Sequence, residues 1–469
     1  MIHDPIITLF VIVSFLFTTI FIIKLYPLVY GKSIMPTGSK FFLFNYIIFI
    51  YIGVFLMNIF HFQKLEVADI YSTSLVNNLL PMYILNIIMI PLFFIGALIS
   101  NTMFNINSTT NENKLLNNTE ITNNSFYKSS TFIFITLGLL MIILIVLKIY
   151  STKIDTIPIM GLFLDDVNNI DKLRSDATNN FDGKKYRYNL ILQTLPLFLF
   201  VLYFLLFNKK LFQKIITIML FFLCMFTSIM DGVKSPLLQF YLLILLLIFF
   251  KNKKIPIKTI IIFGLVALLS MGLMYAFFMG MAGRDLLDIL MAPFKRIFLG
   301  SSMPMIYYLD YVPNYTDYLY GQSFPNPAGI FPFEHRRITV EIMNHVHPEL
   351  ISMGIVGSMP ATFYGEFYLN FGYIGSIFSM IFLGFLLKTI DNIFIITINK
   401  NSFLLPLLAL FFIYIHIAGT FSRTSFMGIF FNADLIVLTF ISILFIFFNI
   451  IYIQFRRNFA KKSNINSIK

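Results

Sequence analysis

The stretch Pro360–Leu386, PATFYGEFYLNFGYIGSIFSMIFLGFL, is predominantly apolar and contains a single charged residue, Glu366. At about 1.5 Å per residue, a helix of this length can cross about 30 Å of hydrocarbon. A carboxylate inside a membrane helix is costly, so Glu366 needs a reason: a structural hydrogen bond to a neighbouring helix, or a chemical role. With Pro360 in the first turn, we expect Glu366 about two turns into the helix, on the same face as Asn370.

Comparable apolar runs recur along the whole chain. They lie near residues 6–29, 41–60, 78–100, 130–150, 188–207, 211–230, 236–250, 256–279, 359–387, 402–421 and 431–454. Helices are expected because each span then satisfies its own backbone hydrogen bonds, whereas the alternation of barrel strands is missing. The sequence predicts an all-α polytopic protein, with one multi-pass membrane domain over 1–469 and about eleven spans.

Composition excludes a water-soluble globular protein. Hydrophobic residues make up 58% of the chain and charged residues 12%, and the mean hydropathy is +0.83. The first apolar block, Ile6–Tyr30, lacks a basic n-region and a small-residue cleavage site, so we expect a retained span. The single cysteine, Cys224, forms no intrachain disulfide and belongs to no metal motif.

The formal charge of +12 is dispersed over short loops, which argues against nucleic acid as a partner. Lys and Arg concentrate in loops of one parity, which predicts a cytoplasmic carboxyl terminus and an outside amino terminus. Two long loops, 151–187 and 280–358, then face outside. The first is interpreted as a solvated, partly flexible loop, and the Asn-rich stretch 101–124 as a disordered cytoplasmic segment.

The larger outer loop opens with Arg284–Phe298, which we interpret as an amphipathic helix at the membrane surface. Arg284 and Asp288 lie one turn apart, Pro293 is expected to kink the helix, and Arg296 follows the kink. These cations either snorkel toward lipid headgroups or bind a lipid-linked phosphate.

Aromatic residues and clustered charges fill the rest of this loop. They are Tyr311, Tyr315, Tyr318, Tyr320, Glu334, His335, Arg336 and Arg337. Aromatic rings with a hydroxyl suit sugar faces, and guanidinium groups suit phosphate, although tyrosine is also ordinary at a membrane interface. His345 and His347 have no nearby cysteine and only dispersed carboxylates, so a proton-transfer or hydrogen-bonding role is favoured over a metal site.

Polar residues far apart in sequence fall at the predicted outer ends of spans. They are Lys234, Glu366, His416, Arg423 and Asp434. Cations, carboxylates and an imidazole at one membrane depth are what a pyrophosphate-linked lipid substrate requires, although interface residues could coincide there by chance.

The segment Met359–Gly375, MPATFYGEFYLNFGYIG, resembles the start of a late span in Wzy-type O-antigen and capsule repeat-unit polymerases. The pair Gly365-Glu366 and the triplet Asn370-Phe371-Gly372 carry the resemblance. A weaker similarity lies in Asp231–Leu238, DGVKSPLL, where the broader group, ligases included, often places arginine and this chain has Lys234.

The resemblance implies a metal-independent glycosyltransferase of class C type in the bacterial inner (plasma) membrane, with its site facing the periplasm or outside and no cofactor. Its donor and acceptor would be undecaprenyl-pyrophosphate-linked glycans held among membrane lipids. A chain-length regulator and a flippase would be its protein partners. In this scheme Arg296, Arg336 and Arg423 contact the pyrophosphate, with Lys234 as an auxiliary cation.

Glu366 would accept or orient the proton of the acceptor hydroxyl, with His335, His345 and His416 in reserve. Arg284, Arg337, Asn370 and Tyr320 complete the predicted substrate contacts. Two rival functions remain open at this stage. A flippase or other transporter would also have many spans and buried charges, and an O-antigen ligase-like transferase or an acyltransferase would share the outer site.

Overall fold

The computed structural model describes residues 5–60, 77–104, 112, 125–154, 156–163, 177, 181–182, 185–206, 211–278, 298–326, 329–349, 357–400 and 405–466. These residues form helices joined by turns and loops, with no β-strand among them. The all-α prediction is therefore confirmed for the described part of the chain.

The α-helices, in chain order, are α1 Pro5–Tyr30, α2 Gly38–Tyr46, α3 Ile52–Phe60, α4 Leu79–Phe104, α5 Ser130–Ser151, α6 Lys185–Asn189, α7 Leu195–Leu205, α8 Leu211–Ile229, α9 Lys234–Asn252, α10 Ile257–Phe278, α11 Pro304–Asn314, α12 Ile338–Val346, α13 Phe363–Lys400, α14 Leu405–Ala418, α15 Phe426–Phe430 and α16 Ala433–Asn466. The π-helical turns Ile47–Tyr51 and Leu190–Thr194 join α2 to α3 and α6 to α7.

Among the described residues, ten helices are long and apolar enough to cross a membrane. Large apolar side chains remain exposed on them, for example Phe17 at 70% and Ile257 at 75%, as expected of surfaces solvated by lipid. The predicted span at 402–421 is represented by α14, which has only 14 residues. The chain is thus a multi-pass membrane protein.

The described residues pack as two compact units. The first comprises Met1–Asn113, Leu286–Ile393 and Ile415–Asn432. Within it, α4 and α13 approach closely through glycines: a Cβ on Gly96 would lie 1.9 Å from the Ile381 carbonyl oxygen, and one on Gly384 2.1 Å from that of Phe93. Small residues at such crossings let helix backbones meet in an apolar solvent.

The second unit comprises Lys114–Asp285, Phe394–Tyr414 and Ala433–Lys469. Hydrogen bonds between side chains tie its helices together. The Tyr150 hydroxyl donates to Asp231 at 2.5 Å, and the Thr194 hydroxyl donates to Asp434 at 2.7 Å. Such polar contacts supplement the packing of apolar faces.

Helix α13 reverses direction at Gly372, where φ is +66° and ψ is −157°. The Ser376 hydroxyl donates to the Tyr364 carbonyl at 2.9 Å. Twelve residues of straight helix would separate these positions by about 18 Å, so residues 363–371 must fold back on the helix that follows. We call 363–371 the first arm and 373–400 the second arm.

The reversal corrects the predicted position of Glu366. The sequence places this residue about two turns inside one continuous span near 359–387, whereas it lies in the first turn of the short first arm. Pro360 precedes α13 instead of starting it. The predicted shared face is confirmed, because the Asn370 side-chain amide donates to the Glu366 carbonyl at 2.8 Å.

The conformation of Gly372 belongs to a region of backbone space that is essentially restricted to glycine. We expect Gly372→Ala to lower the free energy of unfolding by about 1–3 kcal/mol and to reduce activity, because a Cβ would also meet the Tyr318 ring at 3.3 Å. Thermal unfolding in detergent measures this. Gly138→Ala, in α5 with nothing within 4 Å of the added Cβ, is the matched control and should be neutral. Equal stability of the two variants would contradict a required reversal.

The predicted loops are only partly described. The segment 280–358, predicted to be the large outer loop, contains two helices, α11 and α12, while the predicted amphipathic helix at 284–298 falls, except for Phe298, outside the described residues. In the Asn-rich stretch, Asn101 still belongs to α4. Glu112 is fully buried and paired with Lys40 at 2.7 Å, which corrects the expectation of disorder at that residue.

Candidate functional site

A cavity of about 290 Å³ lies within the first unit, beside the start of α13. Segments from four parts of the chain line it: 323–325, 335–340, 360–366 and 423–425, together with Tyr308 of α11. Its polar lining consists of Tyr308, Ser323, His335, Arg336, Arg337, Thr339, Thr362, Glu366, Arg423, Thr424 and Ser425.

Tyr308 holds the segment that leads into α13. Its hydroxyl donates to the Met359 carbonyl at 3.0 Å and accepts from the Ala361 amide at 3.3 Å. The Met359 amide in turn donates to the Thr339 carbonyl at 2.9 Å. Burial raises the pKa of Tyr308 well above its usual value, so this hydroxyl stays neutral and acts as a clamp instead of a base.

Both carboxylate oxygens of Glu366 are engaged. Oε1 accepts from the Ser323 hydroxyl at 3.1 Å, and Oε2 accepts from the Phe426 amide at 2.8 Å. Phe426 begins α15, which is capped by the Ser425 hydroxyl. Two donors on separate segments fix the plane of the carboxylate, while each oxygen keeps a second lone pair for a proton or a hydroxyl.

Asn370 holds Ser323, one of the two donors to Glu366, in place. Its amide donates to the Ser323 hydroxyl at 2.7 Å, and its side-chain oxygen accepts from the Gly321 amide at 2.7 Å. Asn370 is fully buried, so its role is to orient Ser323 and hence Glu366. Asn370, a predicted substrate contact, does not itself line the cavity.

Arg336 is already paired. Its guanidinium bonds Glu341 at 2.5 and 3.4 Å and donates to the Thr316 hydroxyl at 3.3 Å. The hydrogen bond to Glu341 raises the pKa of the Arg336 guanidinium, so the group remains charged. A phosphate on Arg336 would have to compete with this carboxylate.

The other predicted residues of the cavity are more open. Arg337, at the amino end of α12, and His335 are exposed. The His335 Nδ1 lies 3.1 Å from the Phe324 carbonyl oxygen. Arg423 is exposed, with its guanidinium carbon 5.4 Å from the centre of the Phe49 ring. The structure therefore brings together Glu366, His335 and three arginines from distant parts of the sequence.

Several predicted residues lie elsewhere. His345 packs against tyrosine rings on α11, and His416 is buried in α14 with no hydrogen-bond partner for Nδ1 in the described part of the chain. Tyr320 is 72% exposed beside the first arm. Lys234 starts α9 in the second unit. Arg284 and Arg296 fall outside the described residues, so their predicted roles stay predictions.

Sequence reasoning missed the hydroxyls of the cavity and the carboxylate that pairs with one of its arginines. Ser323, Thr362, Thr424 and Ser425 line it, and Glu341 pairs with Arg336. Isolated Ser and Thr give no signal in sequence. Glu341, however, lies one turn into α12 and five residues after Arg336, a spacing that could have suggested the ion pair.

No group of three or more His, Cys, Asp or Glu side chains able to hold a metal ion occurs among the described residues. Comparisons of the chain with protein-family models, with curated proteins and with solved structures gave no significant match. What the chain does is therefore inferred from its own residues and their geometry.

Proposed function

We propose that the chain polymerises undecaprenyl-pyrophosphate-linked oligosaccharide repeat units into a surface polysaccharide such as O-antigen or capsule. The observation that supports this best is the cavity, in which one oriented carboxylate, three guanidinium groups and several hydroxyls face the same space. Guanidinium groups suit a pyrophosphate, hydroxyls suit sugar hydroxyls, and a carboxylate suits a proton in transfer.

The proposed reaction moves a glycan between two lipid-linked units. A terminal hydroxyl of the acceptor unit attacks the anomeric carbon of the donor glycan, and a new glycosidic bond forms. The bond from that carbon to the phosphate oxygen breaks, and undecaprenyl pyrophosphate leaves with the bonding electron pair. Glu366 takes the proton of the attacking hydroxyl. No nucleotide is needed, because the lipid pyrophosphate already supplies the activated bond.

The three arginines of the cavity differ in the contacts that they already make. Arg337 and Arg423 are exposed at the cavity. We assign to them the stabilisation of the negative charge that develops on the leaving pyrophosphate. Arg336 is bound to Glu341 and holds the cavity wall in this arrangement. It is therefore ranked behind the other two as a phosphate contact.

We further propose that the cavity faces outside the plasma membrane. The Lys and Arg asymmetry of the loops supports this orientation. Along the second arm of α13, Ser376, whose hydroxyl bonds Tyr364 of the first arm, lies about 18 Å from Lys388, more than half of the hydrocarbon thickness. The predicted cytoplasmic Lys388 therefore lies far along the helix from the first arm that carries Glu366.

Reconstitution with lipid-linked repeat units tests the proposal. We expect a ladder of polymers that differ by one repeat unit. Movement of intact lipid-linked units across the bilayer without a ladder would favour a flippase. Transfer of one finished block to a lipid core would favour a ligase.

We expect Arg423→Ala to lower the polymerisation rate by at least about tenfold, because a charged contact to the leaving group is worth about 1.5–3 kcal/mol. Arg423→Lys keeps the charge but loses the planar fork, so its rate should be intermediate. Arg187→Ala removes an exposed arginine in the second unit and should change little. Wild-type polymer from a folded Arg423→Ala variant would exclude Arg423 from leaving-group stabilisation.

A further inference from the structure

Three rings outside the cavity form one aromatic cluster on α11 and α12. The Tyr315 and His345 ring centres are 4.3 Å apart, those of Tyr311 and His345 5.4 Å, and those of Tyr311 and Tyr315 6.0 Å. Tyr315 is 59% exposed, and His345 is exposed as well. We call Tyr311, Tyr315 and His345 the platform.

The platform lies next to the part of the cavity wall that Arg336 forms. Arg336 lines the cavity, and its guanidinium donates to the hydroxyl of Thr316, the residue after Tyr315. Its partner Glu341 lies on α12, one turn before His345. The cavity and the platform are therefore linked through Arg336, Thr316 and α12.

The polar side chains near the platform indicate which kind of ligand it suits. Asn314 and Asp317 are exposed on either side of Tyr315 in sequence, and Glu341 is about one-third exposed. An aromatic anchor for an anionic bilayer surface would be accompanied by basic residues, because anionic headgroups attract Lys and Arg. Amide and carboxylate groups instead pair with sugar hydroxyls, and the carboxylates repel phosphate.

We propose that the platform binds uncharged sugar rings of the glycan, at a distance from the reacting bond. This inference rests on the proposed function and adds a second subsite to it. The faces of the Tyr315 and His345 rings, which are tilted 58° to each other, stack on the apolar faces of successive pyranose rings. Asp317 and Glu341 accept hydrogen bonds from sugar hydroxyls, and Asn314 accepts or donates them. His345 is thereby reassigned from reserve base to stacking residue.

The test uses glycan freed from its lipid. Mild acid releases the phosphate-free glycan from the lipid-linked oligosaccharide pool of cells that make the protein, and calorimetry measures its binding to the purified full chain. We expect Tyr315→Ala to weaken binding about tenfold and Tyr315→Phe to retain most of it, since stacking needs the ring. Tyr186→Ala, which removes a 61% exposed tyrosine of the second unit, is the matched control and should bind as wild type does.

Inorganic pyrophosphate provides a second measurement. It should not displace the released glycan, because the platform has no free cation of its own among the described residues. Displacement would place the glycan in the cavity and overturn the platform, as would equal binding by wild type and Tyr315→Ala, or no binding by wild type. In the reconstituted reaction, Tyr315→Ala should raise KM and leave kcat nearly unchanged. Absence of any ladder from wild type would refute the proposed function, whereas glycan binding would still decide the platform.

Discussion

Glu366→Gln should assemble normally and polymerise about 10²- to 10⁴-fold more slowly, the usual range for loss of a general base. The contacts explain why folding should survive. The glutamine oxygen can still accept from the Phe426 amide, and its NH2 group can donate to the second lone pair of the Ser323 hydroxyl, whose proton then turns into the cavity that Ser323 lines. Single-turnover rates with lipid-linked units measure the effect.

Glu366→Asp keeps the carboxylate but withdraws it by one methylene, so it should retain part of the activity. Glu349→Gln is the matched control, because it neutralises an exposed glutamate that contacts His347 and does not line the cavity. If Glu366 only ties segments together, Gln should be silent for rate, and any loss should follow a lower thermal stability. A well-folded Gln variant with the normal rate would move the search for a base to His335, which shares the cavity.

Much of the fold follows from hydropathy alone. Spans such as Leu79–Phe104 and Ile257–Phe278 match their predicted ranges closely, because lipid solvation requires about 20 apolar residues with internal hydrogen bonds. Within the candidate site, Glu366 and Arg423 were predictable because a charge near the end of an apolar run stands out. The structure places both on the cavity wall.

The reversal at Gly372 was not predictable from hydropathy, because residues on both sides of it are apolar. The apolar run therefore suggests one continuous helix. Backbone contacts decide otherwise: the Leu319 and Tyr320 amides donate to the Leu369 and Asn370 carbonyls at 3.0 and 3.2 Å. They satisfy the orphan carbonyls at the end of the first arm, which a sequence pattern does not reveal.

The histidines illustrate a second limit. His335, His345 and His416 are equivalent candidates in sequence, since residue type alone carries the hypothesis. The structure separates them into a cavity residue, a ring packed at a tilt against tyrosine, and a buried side chain of α14. Contacts between distant segments make this distinction.

The largest stability effect is expected at Glu112. This fully buried carboxylate lies 2.7 Å from the Lys40 ammonium and 3.5 Å from that of Lys388, both of which lie against the Tyr30 ring. Lys388 is fully buried. Glu112→Gln removes the charge that both lysines share and leaves Asp391 as the remaining carboxylate that acts on both, so we expect the free energy of unfolding to fall by about 3–5 kcal/mol. Thermal unfolding in detergent should show a clearly lower midpoint.

A double variant tests whether the buried lysine charge causes the loss of stability. The double variant Glu112→Gln, Lys388→Met also removes one of the two buried lysine charges, so it should regain part of the lost stability. The double-mutant cycle then gives the coupling energy between Glu112 and Lys388 directly. Asp182→Asn breaks an ion pair whose carboxylate is 76% exposed, and it should cost little because solvent screens such pairs. Equal midpoints for Glu112→Gln and Asp182→Asn would show that the buried lysines do not depend on Glu112. Recovery in the double variant, with the Asp182→Asn midpoint unchanged, would identify the excess buried positive charge as the cause, since a weakened hydrogen bond to Lys40 would persist in both Glu112 variants.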